Sequence, residues 1–230
     1  MKKMISWLLI LTCMVLPMTS FAAGKLSIVQ EDFHVIESYS TYAHAYAKVE
    51  NIGDKPIKVN VGLLEVYDEN GDVITSEDYM SSPAEYLAAG EYTYVAIDTQ
   101  IEEDMVADDY LFTVSGKSDK SQTTRRFPVK TDYAENVSNG YWENDYMYVE
   151  VTNDTDEICY DLSVVATLLD AEGKILYYAT DALYTDKGLT PDSSMVFRFD
   201  VSDAYKEYFE KNSLVPATVD AIAYVYESNE

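Results

Sequence analysis

Carboxylates are the first candidates for chemistry in this chain: 41 Asp and Glu stand against 16 Lys and Arg. The densest run spans 101–109, and its oxygens are of the hard type that holds calcium. Glu102, Glu103, Asp104, Asp108 and Asp109 are therefore the candidate ligands, and calcium is the one cofactor they suggest; a solvated loop is the competing reading. A second stretch, Asp68-Glu69-Asn70-Gly71-Asp72, fails as a calcium loop. Counted from Asp68, its sixth position is Val73 and its twelfth is Tyr79, where such a loop needs Gly and a bidentate Glu.

Nucleophilic catalysis finds little material. The two histidines, His34 and His44, read as ordinary surface or edge residues, and no G-x-S-x-G elbow accompanies them. Cys159 has no second Cys or His near it in sequence to complete a metal site. Its counterpart in the repeat described below is Ile57, so a small buried hydrophobe is the simple reading. The parity is awkward, because Leu162, Val164 and Ala166 then point to the opposite face unless a bulge intervenes. The expectation is a protein without catalytic activity, with a carboxylate-dependent hydrolase the least favoured reading.

Recognition has better candidates. The chain holds 21 Tyr. Tyr46, Trp142, Tyr146 and Tyr148 offer faces that can stack on sugars or peptides, or can pair across strands instead. Arg125 and Arg126, beside Lys117, Lys120 and Lys130, concentrate the positive charge in one stretch. They read either as charge pairing between flanking domains or as an anion or wall-polymer site.

The elements that must position these residues come in two copies. Laid over itself at an offset of 102 residues, the chain puts Tyr46 on Tyr148, Val49 on Val151, Asn51 on Asn153, Asp68 on Asp170 and Gly71 on Gly173. Ala43, Ala45, Ala47 and Val49 alternate with Tyr42, His44, Tyr46 and Lys48, which is a strand with one apolar face. Asn70-Gly71 between apolar runs signals a hairpin turn. Asn51 and Asn153 at strand ends read as turn caps. Near the ends the offset grows to 112, from Phe112 to Tyr224, so the second copy carries an insertion at 204–213. Ala204, Tyr208 and Phe209 there have helical spacing. The fold class is all-β: two tandem antiparallel Ig-like β-sandwich domains, with a short helical insertion in the second.

Val49-Glu50-Asn51 followed by Val66-Tyr67-Asp68-Glu69-Asn70-Gly71-Asp72-Val73, and Val151-Thr152-Asn153 followed by Leu168-Leu169-Asp170-Ala171-Glu172-Gly173-Lys174-Ile175, resemble the FxLYD type of bacterial extracellular domain. Leu64 and Ala166 depart from the Phe of that pattern. The resemblance implies an Ig-like sandwich in an extracellular setting and assigns no activity.

Residues 1–22 read as a signal peptide: Lys2 and Lys3, an apolar run from Met4 to Met18, and small residues at Ser20 and Ala22. Loss of Lys2 and Lys3 leaves 14 basic against 41 acidic residues, a net charge of −27 in place of −25. Such a field repels nucleic acid and anionic lipid. The domains expected are 23–129 and 130–230, with Phe127 and Val129 closing the first as an edge strand. The expected protein is secreted, either released or retained at the cell surface, with no membrane-spanning segment after cleavage. Its expected role is a binding or structural module for cell-wall or surface glycan or a surface protein. The alternative is an accessory subunit of a secreted or wall-bound complex.

Overall fold

The structure, a computed structural model, describes residues 24–138, 140, 143–183 and 186–229. The signal peptide expected at 1–22 lies outside them, and so does Trp142. The described residues are all-β, with antiparallel sheets and, among them, one short helix towards the C-terminus. No helix among the described residues is long and apolar enough to cross a membrane.

The first seven strands are β1 (Leu26–Glu37), β2 (Thr41–Asn51), β3 (Ile57–Tyr67), β4 (Val73–Glu77), β5 (Tyr86–Leu87), β6 (Tyr92–Ile101) and β7 (Asp109–Lys117). They form one sheet in the order β1-β2-β6 and a second in which β3 pairs with β4, β5 and β7. Period-two alternation explains why these segments are strands and which face they bury. Ala43, Ala45, Ala47 and Val49 of β2 are fully buried and meet Leu64, Val66, Val95, Ile97 and Phe112 in one core. Each large aliphatic side chain contributes roughly 1.5–3 kcal/mol by leaving water.

The second seven strands repeat the plan: β8 (Gln122–Phe127), β9 (Val129–Ser138), β10 (Glu143–Thr152), β11 (Ser163–Asp170), β12 (Ile175–Ala182), β13 (Ser194–Val201) and β14 (Pro216–Ser228). Their sheets run β13-β10-β9 and β12-β11-β14-β8 around a core that includes Met147, Val149, Val151, Ala166 and Leu168. Helix α1 (Asp203–Lys211) falls on the segment whose spacing was helical, and its Phe209 is buried in this core.

Two differences from the sequence reading have clear causes. Phe127 does not close the first copy. Gln122–Phe127 pairs with β14, and the Phe127 ring enters the second core. A polar run can hold an edge strand because only one of its faces needs apolar cover. The parity problem at Cys159 also resolves. In the first copy the register of β3 against β7 shifts between Val59 and Val61, and in the second an irregular stretch separates Cys159 from β11. Cys159, Leu162, Val164 and Ala166 thus share one core, and burial pushes the Cys159 thiol pKa up.

Repeated turns are built by repeated residues. Asp68 Oδ1 accepts from the Asn70 and Asp72 amides at 2.9 Å, and Asp170 Oδ1 from Glu172 at 3.0 Å and Lys174 at 2.8 Å. Gly71 and Gly173 take φ of 81° and 87°, which side chains disfavour. Asn51 and Asn153, both fully buried, cap their turns, Oδ1 accepting from the Gly53 and Thr155 amides at 3.1 Å, and act as latches as well. Asn51 Nδ2 donates to Lys55 O at 2.8 Å and Leu87 O at 3.0 Å; Asn153 Nδ2 donates to Glu157 O and Leu189 O, both at 2.8 Å.

Candidate functional site

The outward face of β2 carries Tyr42, His44, Tyr46 and Lys48, and the second copy covers much of it. Tyr46, Tyr94, Ala84 and Ala96 of the first copy pack against Val165, Ile175, Ile222 and Tyr224 of the second in a third buried cluster. Around this apolar patch runs a set of polar ties, which the desolvation of these groups requires. Side chains of β1 on one face, Gln30, Asp32 and His34, meet the β11–β12 turn. Gln30 Nε2 donates to Gly173 O, Asp32 Oδ2 accepts from Ile175 N at 2.7 Å, and His34 Nε2 donates to Ile175 O at 2.6 Å. Asp220 of β14 accepts from Tyr94 Oη at 2.6 Å and Tyr92 Oη at 3.1 Å, with Lys48 Nζ 3.6 Å away. Burial and the Asp220 charge push the Tyr92 phenol up to about 12 and Tyr94 further in the same direction.

Helix α1 closes one side of this seam. Tyr205 Oη is 2.8 Å from Tyr46 Oη and 3.2 Å from His44 Nδ1, which also meets Asp98 Oδ1 at 2.6 Å. Tyr208 Oη is 3.3 Å from His34 Nδ1. His34 is 1% exposed, so it is a seam residue and not the surface or edge histidine its sequence position suggests. Burial, reinforced by the positive charge of Lys174 and by His44, lowers its pKa to about 4 against the opposing hydrogen bond to Ile175 O. It is neutral at pH 7.

On another side the seam opens. Ser163, Thr180, Ala182, Tyr224 and Tyr226 lie on the same sheet face as the buried Val165 and Ile222, towards the edge of the seam. The loop 79–83 overhangs them and leaves a cleft of about 500 Å³. Tyr79, 82% exposed, and Tyr226, 41% exposed, flank it, with Asp181 and the Ser82 hydroxyl in the lining. The overhang is fixed. Ser81 exchanges backbone hydrogen bonds with Ala96 at 2.9 and 3.0 Å, Ser81 Oγ meets Tyr178 Oη at 2.7 Å, and Thr93 Oγ1 donates to Pro83 O. Tyr226 is fixed too: its hydroxyl accepts from Glu85 N at 3.3 Å, and its ring meets Tyr224 edge-on at a centroid distance of 5.2 Å.

The residues singled out in the sequence do not form one site. Tyr46 is 2% exposed inside the seam, so it is no open stacking face. Tyr146 is 3% exposed, with Arg198 4.6 Å above its ring and half-buried Tyr148 5.9 Å beside it. Tyr46 is buried because the second copy covers the face opposite the core, and Tyr146 packs against neighbours of its own sheet, neither of which alternation alone reveals. Arg126 crosses between the copies: Nη2 donates to Tyr92 O, Nε lies 3.6 Å from Glu91, and the guanidinium sits 5.4 Å over the Tyr92 ring. Arg125 stays within the second copy, 3.1 Å from Glu227 and 5.3 Å over Phe127. Each guanidinium thus has a carboxylate beside it, as charge pairing requires, although neither Nε makes a hydrogen bond.

Glu102, Glu103, Asp104, Asp108 and Asp109 are all exposed on the β6–β7 turn. Among the described residues no three Asp, Glu, His or Cys side chains converge as a metal site would need. Like charges on a solvated turn splay apart when nothing buries them. Sequence reasoning did not single out Tyr79, Thr180, Asp181 or Tyr226 for binding. The available signal was the alternation of Tyr224 and Tyr226 on one face, which served there only to align the copies.

No family model and no curated protein matches the chain. Among solved structures, a red sea bream transglutaminase aligns with 76% of the chain and 27% of its own, at 11% identity and a TM-score of 0.21. The chain thus spans about a quarter of that protein's length. The VP2 subviral particle of infectious bursal disease virus aligns with 93% of this chain and 69% of its own, at 9% identity and a TM-score of 0.24. Neither likeness is close enough to carry an argument about this chain.

Proposed function

We propose that this chain is a non-catalytic extracellular binding module: two Ig-like β-sandwiches of the FxLYD type, exported by the segment 1–22 and fused into one unit. The observation that carries the proposal is the cleft at the open end of the seam, where tyrosines of both copies stay exposed against an immobilised floor and overhang. Fusion of the copies supports the same reading. A seam with a third buried cluster and ties through Asp32, His34, Asp220 and Arg126 holds the cleft walls in fixed relation, which lowers the ordering cost of binding. The target is a polymer or protein of the cell surface.

Sedimentation with isolated bacterial cell walls tests this. The secreted form, residues 23–230, should pellet with the walls. Absence from the pellet across intact walls of several wall types would overturn the proposal.

A further inference from the structure

The cleft also specifies the chemistry of what enters it. We infer that it binds a neutral glycan segment, stacked between Tyr79 and Tyr226 with its hydroxyls paired to the cleft hydroxyls of Ser82, Ser163 and Thr180. This inference rests on the binding-module reading.

Three observations point the same way. The volume of about 500 Å³ falls within the roughly 300–1,000 Å³ of small-ligand sites, and the cleft is open along the surface between two chain segments, as a polymer requires. Its lining brings Tyr79, Tyr224 and Tyr226 together with Ser82, Ser163 and Thr180. Sugar rings present apolar C–H faces and a rim of hydroxyls, so a Tyr face and hydroxyls that donate and accept hydrogen bonds meet both parts of one ring. Tyr226 is held by Glu85 N, Tyr224 and Tyr86, so stacking on it orders no further side chain.

Charge then selects among glycans. Among the described residues no Lys or Arg lines the cleft, and the whole chain carries a net −25. Polyanionic wall polymers meet repulsion at this site, whereas an uncharged polysaccharide meets none. Tyr79 and Tyr226 are the stacking residues, and the Thr180 hydroxyl, on the seam face of β12, orients the ring.

The test is titration calorimetry of residues 23–230 against uncharged hexasaccharides, namely the β-1,4 hexamers of N-acetylglucosamine, glucose and xylose. Cell walls stripped of protein by boiling in detergent and protease treatment provide a second arm. At least one hexamer should bind and should compete the chain off stripped walls. Tyr226→Ala and Tyr79→Ala should each weaken that binding about tenfold or more, and Thr180→Val several-fold. Tyr79→Phe should keep most of the affinity, because the stacking face remains. Thermal melting is monitored throughout, and Tyr79→Ala, at an exposed position, should leave it unchanged. Retention on intact but not stripped walls would overturn the glycan assignment, leave the binding-module reading standing and point to a protein partner. Glycan binding unaltered by Tyr79→Ala and Thr180→Val would overturn the cleft as its location. Failure on intact walls as well would remove the underlying reading.

Discussion

Acidification should loosen the protein through one residue. His34 sits in the seam with its Nε2 hydrogen donated to Ile175 O and its Nδ1 facing Tyr208 Oη. Its pKa falls from the ordinary 6.5 to about 4. Between those values the unfolded chain holds a proton that the folded chain rejects. Stability therefore rises with pH across the window, is fully present above pH 6.5, and is lost as pH falls towards 4. From pH 8 to pH 5 the linkage amounts to about 2 kcal/mol. For a protein of this size that lowers Tm by roughly 4–8 °C. The groups facing His34 are Lys174 and Tyr208 from the second copy, and His44 and Tyr46 from its own. Asp32, whose pKa burial raises, works in the opposite sense just above pH 4. Asp68 and Asp119, held low by hydrogen bonds, lose their contribution only below that. A comparison isolates the histidine: scanning calorimetry of wild type and His34→Gln at pH 8 and pH 5. Gln retains an N–H for Ile175 O and takes up no proton. The wild type should lose several degrees more than the variant on acidification. Equal losses in the two proteins would refute the assignment of acid sensitivity to the seam.

The latches should behave alike in the two copies. Asn51→Ala leaves Lys55 O and Leu87 O without their donor and should cost about 2–4 kcal/mol in urea unfolding, and Asn153→Ala should cost the same through Glu157 O and Leu189 O. Asn→Asp at either site should be at least as harmful, since a carboxylate faces two carbonyl oxygens it cannot donate to. Arg126→Ala should broaden the small-angle scattering profile by freeing Glu91 and Tyr92 from the second copy, whereas Arg125→Ala, whose partners lie in its own copy, should leave the profile unchanged. Removing the Tyr205 hydroxyl with Tyr205→Phe takes away the bridge to Tyr46 and should cost about 1 kcal/mol; a double-mutant cycle with Tyr46→Phe should show that the two losses do not add.

The strands were legible because their apolar residues keep period two. Ala43 to Val49 and Met147 to Val151 bury the face their spacing marks. Helix α1 was legible from the spacing of Ala204, Tyr208 and Phe209. Strand β8 was not, since Gln122-Thr123-Thr124-Arg125-Arg126 shows no apolar alternation and only Phe127 reaches a core. The two-residue β5 offers too little sequence to carry any period. The seam was the largest miss, and its cause is general. A strand face bearing Tyr42, His44 and Tyr46 has the same composition whether it meets solvent, a ligand or another part of its own chain. The cleft was out of reach for a related reason: Tyr79, Asp181 and Tyr226 come from three distant segments, and only the docking of the copies brings them to one place.

The seam also bears on how such a chain is made. Synthesis delivers the N-terminal strands first, so the face carrying Tyr46, Tyr94 and Ala96 exists before any of its cover. That cover arrives last: Val165 and Ile175, then the tyrosines of α1, then Ile222 and Tyr224 in the final strand. Until then the nascent first copy displays a sticky aromatic surface, and neighbouring nascent chains display the same one. A chain truncated before residue 203 keeps nearly all of the first copy's own core while lacking α1 and the last strand that cover this face. Such fragments should fold locally and associate with one another, so the last strand serves the solubility of the first copy as much as the fold of the second.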